Sequence, residues 1–149
     1  MSSRFIGKCK FFTMALCVCA LMTACSGGSG SSDYKDGSYI GRSSDFSADE
    51  SGNGSGYGEV AVEIKDNKII SCTFKMYELD GTLKDENYGS DLSKENRLKA
   101  QKAVQSAAKY ASELVKTGYL KDVDAISGAT ISYNEFKEAV NDALQKAAK

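Results

Sequence analysis

Between Val60 and Met76 apolar side chains recur at every second position, and the alternation is interrupted at Asp66-Asn67-Lys68. A period of two is the signature of strands with one face on a core and the other in water. Val60, Val62 and Ile64 fall on one face of the first run, with Glu59, Glu63 and Lys65 mostly on the other. Asp66 and Asn67 both tolerate positive φ, so they make a two-residue hairpin turn. The returning strand, Lys68 to about Leu79, places Ile70, Cys72, Phe74 and Met76 on one face, which makes Cys72 a core thiol. A shorter strand, Gly37 to Ser43, comes before the hairpin, separated from it by the glycine-rich stretch 51–58.

The period then changes. From about Lys94 to Thr117, Ala100, Ala103, Val104, Ala107, Ala111, Leu114 and Val115 recur at helical spacing, and Gly118 stands where a left-handed cap belongs. A last helix carries the stripe Phe136, Ala139, Val140, Ala143, Leu144 and Ala147, and Ser132-Tyr133-Asn134-Glu135 reads as its capping box. Strands in one block and helices in the next predict an α+β fold, a small antiparallel sheet with two main helices packed on it. The glycine-rich loop lacks the G-x-G-x-x-G spacing and lies between strands, so it is not a dinucleotide fingerprint.

The beginning of the chain reads as an export signal. Arg4, Lys8 and Lys10 precede an apolar run from Phe11 to Met22, too short for the roughly 20 residues of a membrane span. Leu21-Met22-Thr23-Ala24-Cys25 resembles a bacterial lipobox, with Met22 where Leu is more usual, and Ser/Gly-rich residues follow as a flexible tether. The expected organisation is a signal peptide over 1–24, a lipidated Cys25 with a linker over 25–35, and one domain over 36–149. Lipid on Cys25, at roughly 0.8 kcal/mol per buried CH₂, would hold the domain on the extracytoplasmic face of a cell membrane. Of the 5 cysteines, Cys9, Cys17 and Cys19 leave with the signal and Cys25 takes lipid, so Cys72 has no partner for an intrachain disulfide.

Composition excludes whole classes of function. The absence of His removes the commonest general base and metal ligand. With the three basic residues of the signal set aside the chain is mildly acidic and has no basic run, which argues against nucleic acid. The acidic stretches Asp45–Glu50 and Asp80–Glu86 read as solvated loops and not as a cation site.

One short segment carries chemistry. Asp124-Ala125-Ile126-Ser127-Gly128-Ala129-Thr130 lies between the two helices and ends two residues before the cap of the second. Free backbone N–H groups and the helix dipole favour an anion there, Gly128 and Ala129 leave room beside the backbone, and Thr130 offers a hydroxyl. On the residues alone a capped turn accounts for the segment better than a phosphate site does.

At every defined position the segment resembles the flavinylation motif of FMN-binding domains, D-x-x-[ST]-G-A-T. Asp36-Gly37-Ser38-Tyr39-Ile40-Gly41 resembles the opening of that domain, and Gly56–Val60 and Lys65–Ile69 resemble its hairpin. Asp80–Gly89 is similar to a segment of a Gram-positive lipoprotein branch. The family includes periplasmic FMN-bearing subunits of the Rnf complex and of the sodium-translocating NADH:quinone reductase. Having no Pro, the chain lacks the T-P-G-type segment of some members, and Tyr39, Tyr57, Phe74, Tyr77, Tyr88 and Tyr119 remain candidates for stacking on a flavin.

The resemblance implies covalent FMN, joined through a phosphoester to Thr130 by an exported FAD:protein FMN transferase. Asp124, Ser127, Gly128 and Ala129 would serve first as the recognition sequence and afterwards as the cradle of the phosphate. It implies an electron carrier and not a complete enzyme, with no catalytic residues of its own, served by a membrane redox partner or a quinone-linked dehydrogenase. Two other readings stay open: a non-redox lipoprotein that binds free flavin or another anionic ligand, and a surface interaction protein.

Overall fold

A computed structural model describes residues 33–50 and 54–149. The signal, the lipobox with Cys25 and the Ser/Gly tether lie outside the described residues. Three strands, β1 (Gly37–Arg42), β2 (Tyr57–Lys65) and β3 (Lys68–Tyr77), form an antiparallel sheet in the order β1-β2-β3. Two helices follow, α1 (Lys94–Thr117) and α2 (Thr130–Ala147), joined through a 3₁₀ turn at Leu120–Asp122. The fold is the α+β arrangement that the two periods predict.

The hairpin turn has the predicted chemistry. Asp66 and Asn67 adopt φ of 50° and 61°, and Lys65 pairs with Lys68 across them. One residue later the register slips. Ile64 pairs with Ile69 but Glu63 pairs with Ser71, so Ile70 is the extra residue of a β-bulge. The bulge turns Ile69 into the core at 7 % exposure and leaves Ile70 46 % exposed, which corrects the expected inward face of β3. Cys72, Phe74 and Met76 keep the inward side, with Cys72 half-buried at its edge.

A three-stranded sheet is marginal in water until its apolar face is covered. Here α2 lies across β1 and β2, and α1 covers β3. Val60, Val62 and Ile64 meet Phe136, Ala139, Val140 and Ala143 of α2, while Tyr110, Ala111 and Leu114 of α1 close the other side. The alanines of α2 permit a close approach: a Cβ on Gly41 would lie 2.0 Å from the Ala139 carbonyl oxygen. α1 has the predicted bounds, is capped by the Ser93 hydroxyl, and ends at Gly118 with φ of 76°. Val115 is on its exposed side, at 37 %. Both ends of the domain are tied together, since the Lys35 N–H donates to the Ala147 carbonyl and the Lys149 N–H to that of Asp33.

Candidate functional site

The segment joining α1 to α2 is held in place by two tyrosines. Tyr133 donates to the Val123 carbonyl at 2.6 Å. The buried Tyr110 hydroxyl accepts from the Ile126 N–H at 3.0 Å and donates to the Ala129 carbonyl at 3.1 Å. Between those contacts the chain makes a turn closed by Ala129 N–H to Ile126 carbonyl, with Gly128 at φ of 77° in the position that requires positive φ. A Cβ on Gly128 would lie 2.9 Å from the Lys102 ammonium, so a cation of α1 stands over this glycine.

The capping box expected at Ser132–Glu135 does not form. Ala129 is the N-cap, no side chain caps the helix, and Thr130 is its first residue. Because the Ala129 carbonyl already accepts the Tyr133 N–H, the helix is set three residues earlier than the Ser132 signal suggests. Ser132 is instead a buried residue of the first turn, at 3 % exposure. Lacking a cap, the N–H groups of Thr130, Ile131 and Ser132 have no acceptor within the helix, and they add to the positive end of its dipole.

These groups open on a cleft of about 730 Å³. Its walls come from the end of β3 (Met76, Glu78), the loop carrying Lys84 and Tyr88, the first half of α1 (Asn96 to Val104) and the start of α2. Gly128, Ala129 and Thr130 line it, with the Thr130 side of the turn exposed. Asp124 and Ser127 are exposed and are not among the lining residues, so the structure gathers only part of the motif at the cleft. The volume is in the range of sites for cofactor-sized ligands. Apolar groups on one wall, a helix start at one end and a few polar groups elsewhere suit a flat heterocycle that carries a phosphate.

Two charged residues that the sequence does not single out are buried at the cleft: Lys84 at 8 % exposure and Glu135 at 6 %. Burial pushes the Lys84 ammonium below its ordinary range, while Glu135 and Glu78 pull it back up. Burial likewise raises the Glu135 carboxyl, against the opposing pull of Lys84. Lys84 also lies 5.0 Å from the ring centre of Tyr88, whose hydroxyl is raised by burial and by the acidic neighbours Glu78, Glu135 and Asp91. The sequence offered one clue to the pair, the bare positions Gly56 and Gly58. A Cβ at the first would meet Lys84 Nζ at 2.5 Å, and one at the second would meet Glu135 Cβ at 3.0 Å.

Of the aromatic candidates for stacking, Tyr88 alone lines the cleft. Tyr57 and Tyr77 stack on each other at 5.3 Å, and the Arg42 guanidinium covers Tyr57. Phe74 packs edge-on against Phe136, Tyr39 donates to the Lys35 carbonyl, and Tyr119 is exposed beyond the far end of α1. Among the described residues no cluster of three or more His, Cys, Asp or Glu is placed to hold a metal, and no helix is long and apolar enough to cross a membrane.

The fold has a solved counterpart. A Clostridium perfringens protein of known crystal structure is 22 % identical and superposes with a TM-score of 0.56, over 76 % of this chain and 88 % of its own. A Clostridium thermocellum protein solved by NMR is 27 % identical with a TM-score of 0.46, over 77 % and 93 %. No curated protein matches the chain significantly. The family model described as FMN-binding domain matches residues 53–145, which takes in the hairpin, α1, all but the last two residues of α2 and the whole of the Asp124–Thr130 segment. That span is more than half of the chain, and the chain belongs to the FMN-binding domain family.

Proposed function

We propose that the chain is a lipid-anchored, extracytoplasmic electron carrier that holds FMN covalently through a phosphoester on Thr130. The observation that carries this reading is the place of Thr130: an exposed hydroxyl on the first residue of α2, at the edge of the cleft, beside N–H groups with no acceptor in the helix. In the joining reaction the Thr130 oxygen bonds to the FMN phosphorus of FAD, the pyrophosphate bond breaks, and AMP leaves. The hydroxyl proton is lost to the FAD:protein FMN transferase or to solvent. Exposed Asp124 and Ser127 stay available for recognition by the transferase, while Gly128 and Ala129 let the phosphate approach the backbone.

Once joined, the phosphate is held by the N–H groups of Thr130, Ile131 and Ser132, with Lys102 near Gly128 as a counter-charge. The flavin supplies one- and two-electron transfer, and the protein supplies position and tuning. Lipid on Cys25 and the following tether keep the domain by the membrane, within reach of a membrane dehydrogenase or the quinone pool, on a Gram-positive cell surface.

The test is intact mass after co-expression with an FAD:protein FMN transferase. The expected gain is one FMN less one water, abolished by Thr130→Ala and retained by Thr130→Ser. No gain, or a gain indifferent to Thr130→Ala, removes the covalent reading. The helix start can hold an anion without a bond, so the alternative is a lipoprotein that binds free flavin reversibly, and binding of FMN by unmodified protein would favour it. Cys25→Ala is expected to release the domain from membranes; membrane retention by that variant would count against the anchor.

A further inference from the structure

Lys84 and Glu135 are the two charged residues buried among the described ones. They come from separate parts of the fold, the loop after β3 and the second turn of α2, and both line the cleft that holds Thr130. They act on each other electrostatically, yet no direct ion pair joins them among the described residues. Burial of charge is costly unless the group is paired or hydrogen-bonded. Two opposite charges held apart at the wall of a cavity therefore suit a ligand that offers an acceptor to one and a donor to the other.

The backbone entering β2 is shaped to admit both. Gly56 and Gly58 leave bare the places where side chains would press on Lys84 Nζ and on Glu135 Cβ. Glu135 follows Thr130 by five residues in the same helix, about 7.5 Å along its axis. The attachment hydroxyl and the charge pair thus occupy two stations of one cleft, in the order in which a flavin carries its phosphate, its ribityl arm and its ring.

We propose that Lys84 and Glu135 read the pyrimidine edge of the flavin ring, Lys84 donating to a ring carbonyl and Glu135 accepting from the N3–H. That edge presents acceptor, donor and acceptor in sequence, which complements an ammonium beside a carboxylate. The inference rests on the proposed FMN site. It adds a consequence for electron transfer: the Lys84 cation stabilises the electron-rich reduced ring, and Glu135 opposes it. Each is a positioning and tuning residue.

The test uses the full-length, flavinylated protein in detergent, with intact mass confirming equal FMN loading before any comparison. Lys84→Met is expected to shift the reduction equilibrium at least tenfold towards oxidised flavin, a fall of about 30 mV in the two-electron midpoint. Glu135→Gln is expected to shift it the opposite way. Equal loading with unchanged midpoints in both variants overturns the inference while leaving covalent attachment intact.

A second measurement needs no substitution in the pair, and so does not depend on the variants folding. Thr130→Ala protein is titrated with FMN and with N3-methyl FMN, whose N3 has no proton to donate. At least tenfold weaker binding of the methyl analogue supports the assignment, and equal binding of the two overturns it. Failure of the wild-type protein to gain FMN mass, with discrimination between the two flavins preserved, overturns covalent attachment and not the charge pair.

Discussion

The Tyr110 hydroxyl, carried by a residue of α1 that is only 1 % exposed, donates to the carbonyl of Ala129, the residue immediately before Thr130. Through this bond and the one it accepts from the Ile126 N–H, α1 fixes the turn that starts α2. Tyr110→Phe keeps the ring against Tyr133 and Phe136, at 5.4 and 5.5 Å, and removes only the hydroxyl. It leaves the part-buried Ile126 N–H without its partner and takes one of two donors from the Ala129 carbonyl, which keeps the Tyr133 N–H, at a cost of about 1–3 kcal/mol. Urea unfolding is expected to show that loss, and flavin loading at Thr130 is expected to fall with it. Unchanged stability would mean that the turn holds itself.

Gly128 and Gly118 form a matched pair for separating strain from function. Their φ values are 77° and 76°, and an alanine at either costs about 1–3 kcal/mol in backbone strain. Around Gly118 a Cβ meets nothing within 4 Å, whereas at Gly128 it meets the flexible end of Lys102. Similar losses of stability are expected for Gly118→Ala and Gly128→Ala by chemical denaturation. Only Gly128→Ala should reduce FMN incorporation, measured by intact mass. Equal incorporation in the two variants would deny Gly128 a role at the phosphate.

Ile69 and Ile70 are neighbours with opposite fates. Ile69→Ala is expected to cost about 2–5 kcal/mol, as for other buried Ile truncations. Ile70→Ala should cost under about 1 kcal/mol, because its side chain is 46 % exposed. Thermal unfolding of the two variants checks the placement of the bulge, and a reversed order would put Ile70 in the core.

That pair also shows what periodicity can and cannot deliver. Alternation located the hairpin, and the Asp66-Asn67 turn was legible because few residues tolerate positive φ at both positions. A bulge moves one residue across the sheet without altering the pattern beyond it, so Ile70 read as inward alongside Cys72, Phe74 and Met76. The bounds of α1 were legible because Ser93 and Gly118 end it by local chemistry. The start of α2 was not, because it is set by Tyr110, distant in sequence, and the local Ser132–Glu135 signal points three residues too late. Thr130 was legible through its motif. Lys84 and Glu135 were not, since a lysine in an acidic loop and a glutamate after a cap serine both look solvated until the fold buries them.

Cys72 carries the last prediction. Its thiol lies at the edge of the core on β3, and burial raises it from 9.0 to about 12. In the unfolded chain the thiol ionises near its ordinary value, whereas in the folded chain it keeps its proton. A raised folded value means that the native state binds more protons above pH 9, so this stability is fully present below pH 9 and is lost as pH climbs towards 12. Tyr77, Tyr88 and Tyr110 are also raised, from 10.0, and they steepen the decline at higher pH. Between pH 9 and pH 10 these tyrosines contribute little, and the lowered Lys84 ammonium, which acts in the opposite direction, is common to the wild-type chain and a Cys72 variant. Across that interval the urea midpoint of the wild-type chain is expected to fall relative to that of Cys72→Val, and parallel midpoints would remove the thiol as the cause. The same protection predicts that alkylation of Cys72 at pH 8, followed on its own peptide, is slow until urea opens the fold. Rapid alkylation of the native protein would place the thiol in water and remove the alkaline slope with it.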